Sequence, residues 1–163
     1  MPGLQPHPLL RGAPADGQRR ALSATGEDLR LHIDGASRGN PGEAGFGIHA
    51  TSPAGQEVAS LYGYLGRASN NVAEYQALLH GLRYALAQGA RKVHVFSDSQ
   101  LVVRQMSGAY RVKHPAMVPL HREARDLARR FEECRLDHVR REQNVEADRL
   151  ANQALDERGT RLE

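Results

Sequence analysis

The sequence predicts an α/β domain in which a mixed sheet carries helices on its faces. Two observations predict this class. Three extended segments follow one another early in the chain, which is typical of antiparallel strands in a row. Helical periodicity and short apolar strands then alternate to the end of the chain. The predicted order of elements is β-β-β-α-β-α-α-β-α, which gives a five-stranded mixed sheet.

Length and composition fit one such domain. The chain has 163 residues, 40% of them hydrophobic and 25% charged, which suits a single core. No apolar run reaches the roughly 18 residues of a membrane span and no secretory signal is visible, so we expect a cytoplasmic protein with no membrane partner. The single cysteine, Cys134, is predicted to be a core residue in a reducing compartment. The net charge of +3 permits a nucleic-acid partner without implying one.

The chain divides into three segments. Residues 1–27 lack a periodic pattern and are rich in Pro, Gly, Ala and Arg, which predicts a flexible leader. Residues 28–157 carry all the predicted helices and strands, and residues 158–163 are predicted to form a short C-terminal tail.

The first three elements are predicted strands. Leu29, Leu31 and Ile33 alternate with polar residues, so Asp34 falls on the opposite face of the first strand. We expect this strand to end at Asp34, where the segment "GASRGNPG" begins. The segments "AGFGIHATS" and "EVASLYGYLG" are predicted to form a hairpin around the turn "PAGQ".

Helices dominate the rest of the chain. The segment "NNVAEYQALLHGLRYALAQGA" has apolar residues at helical spacing and Gly89 where a helix would stop. "KVHVFSD" is predicted to be a buried strand that runs into the helix "DSQLVVRQM". "CRLDHVRRE" is the last predicted strand, and Asn144 is predicted to cap the last helix, "NVEADRLANQALDE". Between the helix "DSQLVVRQM" and the last strand lies another predicted helix, whose buried stripe comprises Leu120, Ala124, Leu127 and Phe131.

Four acidic residues lie at element ends or in first turns, namely Asp34, Glu74, Asp98 and Asp148. Each has an ordinary structural explanation. Asp34 suits an Asx-turn, Glu74 has capping-box spacing from Asn71, and the other two carboxylates suit helix N-termini. Gathered at one edge, however, four carboxylates would repel one another unless cations neutralised them. Oxygen ligands without a Cys or His cluster favour Mg²⁺ or Mn²⁺, and paired ions of this kind serve phosphoryl transfer.

Four segments together resemble the successive motifs of type 1 ribonuclease H. They are "IDGASRGNPGEAGFG", "SNNVAEYQALLHGL", "VFSDSQLVVRQ" and "NVEADRLANQA", in the right order and spacing between about Leu29 and Leu155. The resemblance implies a ribonuclease H-like fold for residues 28–157. It also implies that the four carboxylates hold two Mg²⁺ ions, with Mn²⁺ as an alternative, and that the RNA strand of an RNA/DNA hybrid is hydrolysed to 5′-phosphate and 3′-hydroxyl ends.

The resemblance also implies how the hybrid is bound. Backbone groups at Gly35 and Ala36 are expected to contact ribose hydroxyls, which distinguish RNA from DNA. The side chains expected to take part in the same minor-groove contact are Asn70, Asn71 and Gln100. The side chains that match a pocket for a phosphate of the DNA strand are Asn40, Arg67 and Ser69. We expect the RNA/DNA hybrid to be the binding partner. We also expect the protein to be a monomer without an obligate protein partner.

Two departures from the family pattern affect these expectations. Better-known members have a loop histidine before the last acidic motif, whereas "HVRREQNVEAD" leaves no room for that loop. We interpret His138 as a strand residue and take Arg141 and Glu142 as auxiliary candidates. The basic handle of some members is also absent, because "SGAYRVKHPAMVPL" offers only Arg111, Lys113 and His114. We therefore expect modest and steeply salt-dependent hybrid affinity.

Two other functions remain open at this point. A non-catalytic module that binds RNA/DNA hybrids would keep the fold without the chemistry, and the presence of all four carboxylates argues against it. Another metal-dependent nuclease of the same superfamily, such as a junction resolvase or a transposase core, would share the carboxylates. The asparagines before Glu74 and the glycines after Asp34 favour the ribonuclease, since they suit contact with RNA.

Overall fold

The computed structural model describes residues 28–163, and the predicted leader, residues 1–27, lies outside the described residues. The predicted order of elements is confirmed. The strands are β1 Asp28–Gly39, β2 Gly42–Thr51, β3 Glu57–Ala68, β4 Lys92–Ser97 and β5 Glu133–His138. The helices are α1 Asn70–Ala87, α2 Gln100–Met106, α3 Val118–Ala128 and α4 Val145–Glu157, with a 3₁₀ turn at Arg141–Gln143. Within residues 28–163, no helix combines the length and the apolar character needed to cross a membrane.

The five strands form one mixed sheet in the order β3-β2-β1-β4-β5. β1, β2 and β3 are antiparallel neighbours, whereas β4 and β5 run parallel to β1. The pairing of β1 with β4 ends at Ile33 opposite Ser97, but its pairing with β2 continues to Gly39. The prediction that the first strand ends at Asp34 is therefore wrong, because hydrogen bonding to β2 sustains the strand through its Gly-rich part. Asp34 is instead the first residue beyond the end of β4.

Helices cover both faces of the sheet. Leu31 and Ile33 of β1 and Ile48 of β2 are buried in the main core with α1. On the opposite face, α4 packs on the alternate residues of β2. A Cβ on Gly47 would lie 2.3 Å from the carbonyl oxygen of Ala147, so the backbone of α4 can approach β2 this closely only over a glycine.

The helix ends differ from the predictions in three places. Ser69 is the N-cap of α1, and its Oγ accepts a hydrogen bond from Val72 N–H at 3.2 Å, so the proposed capping box from Asn71 to Glu74 is wrong. Asn144 occupies the N-cap position of α4 without a side-chain cap hydrogen bond. α3 ends at Ala128, and Phe131 is buried beyond it.

The last strand is shorter than predicted, and the C-terminal segment pairs with β3. β5 ends at His138, so Arg141 and Glu142 belong to the 3₁₀ turn and not to the last strand. In the C-terminal segment, the backbone of Arg161 exchanges two hydrogen bonds with Tyr62, at 2.9 and 2.8 Å. This pairing attaches the chain's end to β3.

Candidate active site

The fold brings the four predicted carboxylates to one edge of the sheet. Asp34 lies on β1 just past the end of β4, and Asp98 directly follows β4. Glu74 is in the second turn of α1 and Asp148 is in the first turn of α4. Carboxylate oxygens of Asp34, Glu74 and Asp98 all lie within 4.8 Å of one another. The negative charge of Asp148 also raises the pKa of Asp34, so the fourth carboxylate lies close to this group.

Burial and mutual repulsion disfavour ionisation of these groups. Asp34 is 5% exposed and Glu74 is 6% exposed. Burial, followed by the negative charges of Glu74 and Asp98, raises the pKa of Asp34. Burial, followed by the charge of Asp98, raises the pKa of Glu74, and burial raises the pKa of Asp98. Cations bound among these oxygens would relieve this cost.

The donor set fits hard divalent cations. All of the grouped ligand atoms are carboxylate oxygens, as Mg²⁺ and Mn²⁺ prefer. Among residues 28–163, the ion pairs formed by side chains include none of the four carboxylates. Two nearly buried acids without a salt-bridge partner are the arrangement expected of a cation site.

Gly35 determines the position of Glu74. Its N–H donates a hydrogen bond to Oε1 of Glu74 at 2.8 Å. A Cβ at this position would lie 2.2 Å from the carbonyl carbon of Ala73 and 2.4 Å from the backbone nitrogen of Glu74. α1 therefore fills the space that a side chain at position 35 would occupy, and the expected contact of the Gly35 backbone with a ribose hydroxyl stays a prediction. The N–H of Gly35 is likewise engaged with Glu74.

Asn144 attaches the start of α4 to the same part of β1. Its Nδ2 donates a hydrogen bond of 2.8 Å to the carbonyl oxygen of Ile33, the residue before Asp34. Asn144 is only 1% exposed. This bond holds the first turn of α4, which carries Asp148, beside Asp34. The sequence prediction assigned Asn144 to helix capping and missed this role.

A cleft of about 570 Å³ opens beside the carboxylates. Its lining includes Glu74 and Asp98, together with the predicted substrate residues Asn70 and Gln100. The auxiliary candidates Arg141 and Glu142 also line it, as does His138, the exposed last residue of β5. Further lining residues that the sequence interpretation did not single out are Ser99, Leu101, Val139 and Arg140.

The other predicted substrate residues lie at or near the N-terminus of α1. Oδ1 of Asn40 accepts a hydrogen bond from Asn70 N–H at 3.1 Å, next to the cap residue Ser69. Arg67 is exposed near the end of β3 and faces Glu43 in the strand register. Asn71 is exposed, and Ala36 is half-buried on β1. The structure therefore places Asn40 and Ser69 beside Asn70.

Arg141 supplies positive charge to the cleft. Its guanidinium lowers the pKa of Asp98 and Glu74, opposing the larger effect of burial on both groups. The side chain is exposed, so it is free to move toward a bound anion. The signal in the sequence was the short junction "VRREQNVEAD", which leaves this arginine close to the last acidic motif.

Ionisation of Asp34 should lower the stability of the metal-free protein as pH rises. Below the unfolded-state pKa of about 4, Asp34 is protonated in both the folded and the unfolded protein, so its ionisation does not change the free energy of unfolding. Because the folded-state pKa is raised, the cost grows as pH rises above that value, and stability falls. With EDTA present, we expect Asp34→Asn to raise the unfolding free energy by on the order of 2 kcal/mol at pH 8 and by much less at pH 4. Urea titrations at both pH values test this, and an equal gain at both would contradict it.

The chain is similar in sequence to known proteins. Residues 32–154 match the family model described as reverse transcriptase-like. A bifunctional protein of Mycobacterium tuberculosis is 46% identical over 127 residues, which is 77% of this chain and 35% of that protein. Ribonuclease HI of Halobacterium salinarum is 39% identical over 146 residues, covering 90% of this chain and 73% of that protein. The chain thus spans about a third of the length of the mycobacterial relative.

Three solved structures resemble this chain in both fold and sequence. RNase H1 from Halobacterium salinarum superposes with a TM-score of 0.78 at 41% identity, over 80% of this chain and 98% of that one. The N-terminal RNase H domain of the Mycobacterium tuberculosis protein, fused to maltose-binding protein, has a TM-score of 0.77 and 44% sequence identity, and the match covers 80% of this chain and 94% of that one. LC11-RNase H1, solved in complex with an RNA/DNA hybrid, has a TM-score of 0.76 and 35% sequence identity, and the match covers 80% of this chain and 98% of that one. On these matches in sequence and fold, the chain belongs to the type 1 ribonuclease H family.

Proposed function

We propose that the chain is an endonuclease that hydrolyses the RNA strand of RNA/DNA hybrids with two Mg²⁺ or Mn²⁺ ions, leaving 5′-phosphate and 3′-hydroxyl ends. One observation carries this proposal: Asp34, Glu74 and Asp98 direct oxygens to one point at the edge of an open cleft, and Asp148 joins them. A similar protein, LC11-RNase H1, binds an RNA/DNA hybrid, which supports the substrate class.

The chain's own residues would hold and orient the metal ions. Divalent ions in such a site supply Lewis-acid activation of water and neutralise the charge that develops on phosphoryl oxygens. Asp34, Glu74 and Asp98 would hold these ions with their clustered oxygens, and Asp148 would contribute from the first turn of α4. Gly35 N–H holds the Glu74 carboxylate in place. These fixed contacts preorganise the oxygens before a hybrid binds.

Substrate recognition would rely on sugar and shape. Asn70 and Gln100 line the cleft with Glu74, so their amides lie where a ribose hydroxyl would approach the metal site. Asn40, Ser69 and Arg67 would hold a phosphate of the DNA strand. Such contacts distinguish RNA from DNA by the 2′-hydroxyl and do not depend on base sequence.

Arg141 should contribute to the rate through its charge. It lies near Glu74 and Asp98 and would stabilise negative charge on the scissile phosphate. We expect Arg141→Ala to lower kcat by roughly 10²-fold and Arg141→Lys to restore part of the loss. Steady-state cleavage of a labelled hybrid measures this, with Glu142→Gln as the neighbouring comparison. An Arg141→Ala variant with unchanged kcat would exclude the role, and a Glu142→Gln variant at wild-type rate would remove Glu142 from the auxiliary residues.

A comparison of substrates tests the proposed function. RNA/DNA hybrid, duplex RNA and duplex DNA of one sequence are incubated with Mg²⁺, with Mn²⁺ or with EDTA. We expect cleavage of the RNA strand of the hybrid only, in the presence of either metal, with 3′-hydroxyl ends. Equal cleavage of duplex DNA would indicate another nuclease of the superfamily. Hybrid binding without cleavage under any condition would indicate a non-catalytic module.

A further inference from the structure

A second cleft, of about 420 Å³, lies between α3 and the loop that follows α2. Its lining contains four arginines but only one acidic residue, Asp126. We call these four residues the arginine cleft: Arg111, Arg122, Arg125 and Arg129. All four are exposed. Only Arg111 of this set was apparent from the sequence, because the other three come from the next helix and the fold brings them alongside the loop.

The positive charge of the arginine cleft is largely uncompensated. Arg122, Arg125 and Arg129 recur at the spacing of one helix face. Asp126 pairs with Arg129 at 3.1 Å, and the other acidic residue of α3, Glu123, pairs with Arg83 of α1. Arg111, Arg122 and Arg125 have no ion pair with any residue in the range 28–163. Cationic side chains collected in a concave surface attract anions.

The chemistry of the arginine cleft suits nucleic-acid phosphates. Guanidinium groups bind phosphate oxygens through two parallel hydrogen bonds. Tyr110 also lines the cleft, is 43% exposed and lies under the guanidinium of Arg104, 5.4 Å from the ring centroid. An exposed aromatic ring beside arginines is typical of surfaces that follow a nucleic-acid strand.

Helix α2 links the arginine cleft to the carboxylates. Gln100, its first residue, lines the cleft of the metal site, and Gln105 lines the arginine cleft. Five residues of helix span about 7.5 Å, so one duplex can reach both. We propose that the arginine cleft binds the phosphate backbone of the same RNA/DNA hybrid, beyond the cleavage point. This inference rests on the proposed function and extends it to substrate length and salt dependence.

A matched pair of double variants tests the inference. Arg122→Gln/Arg125→Gln removes two charges from the arginine cleft. Arg149→Gln/Arg158→Gln removes two charges from α4 and its C-cap, where both side chains are more than half exposed. Fluorescence anisotropy of a hybrid of about 16 base pairs in EDTA then gives Kd against salt concentration. We expect the first variant to bind about 10-fold more weakly at low salt and to reduce the salt slope by about 2, with the control within twofold of wild type.

The outcomes separate the inference from the function on which it rests. An Arg122→Gln/Arg125→Gln variant that binds like wild type, or a control that weakens binding equally, would overturn the inference. A poly-glutamate peptide that displaces the hybrid from wild type but not from this variant would assign the arginine cleft to an acidic protein and also overturn it. The proposed function has a separate readout, cleavage of a hybrid of about 8 base pairs by wild type with Mg²⁺. If wild type does not cleave this short hybrid but the variants show the expected changes in binding, the proposed nuclease activity is wrong and hybrid binding by the arginine cleft stands.

Discussion

Replacing Asp34 by Asn should lower the rate of hybrid cleavage by roughly 10³-fold or more, which corresponds to about 4 kcal/mol of transition-state stabilisation. Asp34 is the carboxylate on which the other three act: an oxygen of its side chain lies within 4.8 Å of oxygens of Glu74 and Asp98, and the charge of Asp148 also raises its pKa. Asparagine keeps the shape of the side chain and removes its negative charge. The loss should therefore fall on metal binding and catalysis and leave the fold intact.

The measurement is single-turnover cleavage of a labelled RNA strand at several Mg²⁺ concentrations. Asp137→Asn serves as the matched control, because Asp137 carries the same side chain on β5 and pairs with His94, outside the carboxylate group. We expect this control to cleave at a rate close to that of wild type. A rate for Asp34→Asn above a tenth of wild type would remove Asp34 from the metal site. Thermal unfolding of each variant checks that the comparison concerns folded protein.

The sequence was sufficient to locate the four carboxylates because each one lies where a local pattern changes. Asp34 and Asp98 follow buried strand residues, and Glu74 and Asp148 lie in the early turns of amphipathic helices. Such positions depend on hydrophobic periodicity, which is local. Parallel pairing of β1 with β4 then places Asp34 beside the end of β4, where Asp98 follows, a consequence of topology that the order of elements already implies.

Contacts between distant segments were not predictable in the same way. Gly35 has the sequence context of a loop glycine, yet its role depends on how closely α1 crosses β1. Asn144 has the usual residue type of a helix cap, yet its amide bonds to Ile33 across 111 residues. The arginine cleft also required the fold, since helical spacing puts Arg122 and Arg125 on one face without showing that the loop of Arg111 lies beside it.

Replacing Gly35 by Ala should cause the largest loss of stability among single methyl additions near the site. The new Cβ would lie 2.2 to 2.4 Å from backbone atoms of Ala73 and Glu74, and backbone atoms in a helix cannot move away cheaply. We expect a loss of about 3 kcal/mol in the free energy of unfolding, at the upper end of the usual cost of overpacking. Because α1 must shift to relieve the overlap, the hydrogen bond from residue 35 to Glu74 should also break.

Chemical denaturation and cleavage rates together test this expectation, with Gly159→Ala as the control. A Cβ on Gly159 would meet its nearest atoms at 3.6 to 3.8 Å, an ordinary contact distance, so that variant should stay within about 0.5 kcal/mol of wild type. A Gly35→Ala protein that folds should cleave hybrids more slowly even at saturating Mg²⁺, because Glu74 has lost the donor that orients it. Wild-type stability and rate in Gly35→Ala would mean that α1 does not approach β1 this closely. In that case Glu74 would owe its position to the metal ions rather than to the packing of α1 on the sheet.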